Sequence, residues 1–86
     1  MREFDFTITH QDGLHARLAG LLVKTAKVLD SDITVTKGDK TVGATKLMAL
    51  MGLCAKCGDT IKVTINGGDE ENNEKTVYEL LERELT

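Results

Sequence analysis

Tryptophan and proline are absent from this 86-residue chain, and aromatic residues of all kinds make up 3% of it. Two phenylalanines and one tyrosine cannot build an aromatic core, so the interior must come from Ile, Val, Leu, Ala and Met. With no basic run and no aromatic platform, nothing is offered to a nucleic acid. No apolar stretch approaches the ~20 residues of a membrane span, which excludes direct insertion. The opening "MREFDFTI" alternates instead of forming the apolar block of a signal peptide, so the expected location is the cytoplasm. There are only two cysteines, and in that compartment they need not be bridged. Internal repeats, linkers and low-complexity segments are also missing, and residues 1–86 read as a single domain.

What is present is ordinary for a soluble globular protein: 41% hydrophobic and 29% charged residues. The net charge of −3 is unevenly spread. Residues 69–86 hold seven acids against Lys75 and Arg83, while the first 68 residues carry a slight positive excess. Such a body could favour acidic protein partners.

Hydrophobic periodicity lays out the elements. Phe4, Phe6 and Ile8 alternate with polar residues, as in a half-buried strand. From about Ala16 to Leu29 the period changes, and Ala19, Leu22, Val23 and Ala26 form one apolar stripe of a helix. "ITVTKGDKTVG" reads as a hairpin turning at Gly38-Asp39, with Val35 opposite Val42 on one face. "ATKLMALMG" is a short helix with Gly52 as its stop. "TIKVTI" alternates again, placing Ile61, Val63 and Ile65 inward. Asp69 suits a helix cap, and Val77, Leu80, Leu81 and Leu85 line the last helix. The order is β-α-β-β-α-β-α. It fits an α+β protein with one antiparallel sheet covered by helices on one side. Periodicity alone also permits a ferredoxin-like arrangement.

The stretch "HQDGLHARLAG", residues 10–20, carries the chemistry. If the first helix begins just after His15, its first N–H groups lack intrahelical partners and face the imidazole. The helix dipole then disfavours imidazolium and leaves a neutral nucleophile. The N–H groups of Ala16, Arg17 and Leu18, with the Arg17 side chain, would hold an added anion such as a phosphoryl group. Histidine is a competent covalent acceptor. The competing reading is a solvated loop histidine.

At these residues the chain resembles a known family. "GLHAR" followed by Ala19, with "VLDSDITV", "GDKTV" and "KLMALMGL", is similar to the HPr phosphocarriers of the bacterial phosphoenolpyruvate:sugar phosphotransferase system, over essentially the whole chain. The resemblance implies an open-faced β-sandwich of strand order 1-4-2-3, with three helices on one face of the sheet. It implies that His15 takes a phosphoryl group at Nδ1 from phosphorylated enzyme I and passes it to enzyme IIA domains. Arg17 would be the phosphate partner. The chain would be a carrier more than a free-standing enzyme, with no cofactor or metal, and monomeric by default. Gly20, Leu21, Lys24 and Lys27 share one side of the first helix with Arg17, and Leu21 is expected to face solvent. Leu47, Met48 and Met51 resemble the family's apolar docking patch, whereas Leu50 and Leu53 read as core.

Two positions depart from the family. Leu18 stands where Pro is usual, restoring an N–H in the first turn and placing an apolar side chain that could alter docking. Lys46 stands where many members have a regulatory Ser, and it cannot accept that phosphate. Thr45 beside it is expected to cap the short helix. These departures support a second reading, a divergent regulatory relative with little phosphate flux. A third reading is a redox or metal module built on Cys54 and Cys57. "CAKC" with His10 and His15 makes a superficial Cys₂His₂ set, but the order is reversed and the span long. The expectation is a buried Cys54 and an exposed Cys57. "GATK" lacks the spacing of a Walker loop.

Overall fold

A computed structural model describes residues 1–85. Its elements are β1 (Arg2–Thr7), α1 (Ala16–Val28), β2 (Asp32–Lys37), β3 (Lys40–Gly43), α2 (Leu47–Gly52), β4 (Thr60–Asn66) and α3 (Glu70–Leu85). The sheet runs β1-β4-β2-β3 with every neighbouring pair antiparallel, which closes the ferredoxin-like alternative.

The alternation in each strand sets the register. Phe4 pairs with Val63, Val63 with Val35, and Val35 with Val42, so one apolar row crosses all four strands. Ile33, Ile61 and Ile65 are buried on that same inner face. The opposite face carries Glu3, Asp5, Thr34, Thr36, Lys62 and Thr64, so it stays wet and the sandwich is open. The helices cover the inner face with aliphatic side chains: Ala19, Leu22 and Ala26 from α1, Leu50 from α2, and Val77, Leu80, Leu81 and Leu85 from α3. Each fully buried leucine contributes about 1.5–3 kcal/mol. Asp69 caps α3 as expected, its Oδ1 accepting from the Asn72 N–H at 3.4 Å.

Four expectations need correction. Leu18 is 0% exposed and belongs to the core, so it offers no surface to a partner. It lies four residues before Leu22, on the stripe that continues through Ala26. Leu21 does not stand free but is half-buried against the core. Thr45 does not cap α2: the cap is Lys46, whose carbonyl accepts from the Leu50 N–H and whose side chain makes no capping bond. Cys54 is exposed, not buried. The chain passes through a left-handed φ of 53° at Cys54, which sends Leu53 and Ala55 inward and leaves the thiol outside.

Asn73 is a buried polar residue that the apolar pattern of α3 hides. Its Nδ2 donates to Asp30 Oδ1 at 2.6 Å and to Ser31 Oγ at 2.7 Å, tying α3 to the end of α1. The Asn73 bond first, and then one from the Asp69 N–H to the same Oδ1 at 3.2 Å, hold the Asp30 carboxyl below its usual range.

Candidate functional site

The N-terminus of α1 is the centre of the site. His15 is its N-cap, in extended backbone at φ −95° and ψ 167°. The first intrahelical bond is from the Ala19 N–H to the His15 carbonyl, at 2.9 Å. The Leu18 N–H instead donates to His15 Nδ1 at 3.3 Å. An accepting Nδ1 carries no proton, which leaves the ring hydrogen on Nε2. The lone pair therefore sits on Nδ1 and faces the positive end of α1. The N–H groups of Ala16 and Arg17 precede the first helical bond and have no partner within the helix.

Two neighbouring segments hold this cap in place. The Leu14 N–H donates to the Ala55 carbonyl at 2.9 Å. Gly13, at φ +64°, lies so close that a Cβ there would run into the same carbonyl. The Gly58 N–H donates to the Ile8 carbonyl at 2.7 Å, and the Ile8 N–H to the Asp59 carbonyl at 2.9 Å. Asp59 closes its own loop by accepting from the Lys56 N–H at 2.8 Å. That bond first, and Lys37 after it, hold its carboxyl below the usual range against the opposing effect of desolvation. The loop after α2 is thus a hydrogen-bonded floor to the segment that leads into His15. From the other side, the Leu85 carbonyl at the end of α3 accepts from the N–H groups of Thr9 and His10.

The remaining site residues are spread around this point. The Arg17 guanidinium points toward Glu84, with Nε 3.9 Å from the carboxylate, and its side chain is 76% exposed. Such a pair is worth under about 1 kcal/mol, so it leaves Arg17 free to swing to an anion. Gly20, Lys24 and Lys27 are exposed on α1. Met48 is 81% exposed and Leu47 43%, while Met51 packs partly on the core. Leu47 and Met48 thus expose apolar surface on α2, and Lys24 and Lys27 expose positive charge on α1. His10 lies beside the cap, its ring centroid 5.1 Å from that of His15. Among the described residues, no group of three or more His, Cys, Asp or Glu side chains could hold a metal ion, so His10, His15 and the cysteines do not assemble a site.

The site is thus a half-buried imidazole whose Nδ1 meets the first N–H groups of a helix. The family pattern described as "PTS HPr component phosphorylation site" matches residues 2–83. The chain belongs to the HPr family. The phosphocarrier protein HPr of Xylella fastidiosa is 37% identical over 82 residues, covering 95% of this chain and 92% of that one. An HPr crystal structure from Thermoanaerobacter tengcongensis superposes with a TM-score of 0.88 at 39% identity, covering 95% of this chain and 92% of the other. A multiphosphoryl transfer protein of Escherichia coli is 37% identical over 76 residues, which span 85% of this chain and 20% of that protein. The HPr fold in this chain thus also occurs as part of a larger phosphoryl-transfer protein. Among the described residues, no helix is long and apolar enough to cross a membrane.

Proposed function

We propose that this chain is a phosphocarrier of the sugar phosphotransferase system, with His15 Nδ1 as the acceptor atom. The observation that carries the reading is the Leu18 N–H bond to Nδ1, which puts the ring's lone pair at the helix N-terminus. Phosphorylated enzyme I brings its phosphoryl group to this cap. The Nδ1 lone pair forms the new bond to phosphorus as the bond to the donor breaks, and Nε2 keeps its hydrogen. The Leu18 N–H moves from Nδ1 to a phosphoryl oxygen, joined by the N–H groups of Ala16 and Arg17. Arg17 leaves Glu84 and adds charge to the cradle. An enzyme IIA domain then takes the group by the reverse displacement.

Docking uses the patch beside the cap. Leu47, Met48 and Met51 supply apolar contact that adapts to more than one partner, and Gly20, Lys24 and Lys27 supply close approach and positive charge. Leu21 contributes only its exposed half. The chain works in the cytoplasm as a monomeric single domain. Lys46 carries no hydroxyl, so a kinase acting at that position finds no acceptor.

The reading is tested by incubating the protein with enzyme I, Mg²⁺ and phosphoenolpyruvate. One acid-labile phosphoryl group is expected by intact mass, and none on His15→Ala. A folded wild-type protein that stays unlabelled, while a standard carrier is labelled in parallel, would refute it.

A further inference from the structure

His10 stands within ring contact of His15 and has no part in the scheme above. The two centroids are 5.1 Å apart and the planes are tilted by 44°. His10 is also firmly held. Its N–H donates to the Leu85 carbonyl at 2.8 Å, and its carbonyl accepts from the Gly13 N–H at 3.0 Å. Its Nδ1 accepts from the Asp12 N–H at 3.1 Å. That last bond decides the tautomer: with Nδ1 an acceptor, the ring hydrogen sits on Nε2, on the far side of the ring from its own loop. His10 therefore carries an N–H donor on a tethered ring beside the acceptor ring.

We propose that His10 is a second side-chain ligand of the phosphoryl group on His15, donating its Nε2–H to a phosphoryl oxygen. The inference rests on the phosphocarrier reading of His15 and names a donor that reading leaves out. Arg17 is long and mostly exposed. His10 is short, half-buried and tethered at three points, so less freedom is lost when its bond forms. Loss of the group passes through a loose transition state in which phosphorus is partly detached. A donor fixed on the bound group's oxygens favours the state before that detachment and slows hydrolysis.

The test separates this inference from the carrier reading. Phosphoramidate transfers its phosphoryl group to a histidine nitrogen, with ammonia leaving, and needs no enzyme I. The lifetime of phosphorylated His15 is then followed by phosphorus NMR at one neutral pH, with His15→Ala as a blank for label elsewhere. His10→Ala and His10→Phe should each shorten the lifetime roughly three- to ten-fold, the size of one modest hydrogen bond. His10→Gln, which keeps an N–H donor, should recover part of it. The His10 Nε2–H resonance of ¹⁵N-labelled wild type should shift on phosphorylation. Equal lifetimes, a Phe variant matching wild type, no recovery with Gln, an unmoved resonance, or label on His10 instead of His15 would each overturn the proposal. Failure of enzyme I to label a protein that phosphoramidate does label counts against the carrier reading alone.

Discussion

Gly13 and Gly38 are a matched pair for testing how the site is held. Both sit at a left-handed φ, +64° and +61°. A Cβ at Gly38 would meet nothing within 4 Å. At Gly13 it would run into the Ala55 carbonyl oxygen and lie 2.7 Å from the Lys56 Cα, backbone that cannot rotate aside. Alanine at either position adopts an unfavourable φ, at about 1–2 kcal/mol. Only Gly13→Ala must also displace the floor under His15, at a further ~1–3 kcal/mol by analogy with overpacked cores. A domain of this size loses about 4–8 °C of melting temperature per kcal/mol. Gly13→Ala should therefore melt at least ~4 °C below Gly38→Ala. It should also take up phosphate from enzyme I more slowly, because the obstructed carbonyl is the one that anchors the Leu14 N–H. Thermal melts and initial phosphorylation rates of both variants decide the matter. Equal melting temperatures and equal rates would show that contact between the two loops does not position His15.

Further outcomes follow from other parts of the molecule. Leu18→Ala should cost about 2–5 kcal/mol in urea unfolding, and Leu18→Met under about 1.5, because the side chain is fully buried. The Asp30 carboxyl is depressed in the folded protein by Asn73 and then the Asp69 N–H, so its contribution is complete above about pH 4 and fades as pH falls through the folded value. Asp30→Asn should lower stability at neutral pH and flatten the fall in urea midpoint below pH 4. Met48→Glu should leave the melt within about 0.5 kcal/mol of wild type, since Met48 is 81% exposed, yet weaken binding to enzyme I in a titration.

Much of the fold is legible in the pattern of residues, and the exceptions have physical causes. Val35 opposite Val42 follows from the turn and period-two alternation alone, and the pair is found in that register. The stripe of α3 and its Asp69 cap follow equally from local rules. Leu18 was within reach of the same rules, since Leu18, Leu22 and Ala26 are each four apart. Asn73 was out of reach, because its burial depends on Asp30 and Ser31 from a distant turn. Cys54 turned outward because of one left-handed residue, which no period reports. In the site, His15 and its helix were legible, since a cap is a local feature. The role open to His10 was not. The spacing H-x-x-x-x-H is bland until the Asp12–Gly13 turn folds one ring against the other.

The central claim is that His15 Nδ1 accepts and releases a phosphoryl group. The most direct measurement is phosphorus NMR, with intact mass, on the protein incubated with enzyme I, Mg²⁺ and phosphoenolpyruvate. The account predicts one acid-labile phosphoryl group bonded to Nδ1 of His15, discharged on adding an enzyme IIA domain and absent from His15→Ala. No label on the folded wild type, or a label that persists in His15→Ala, would contradict it.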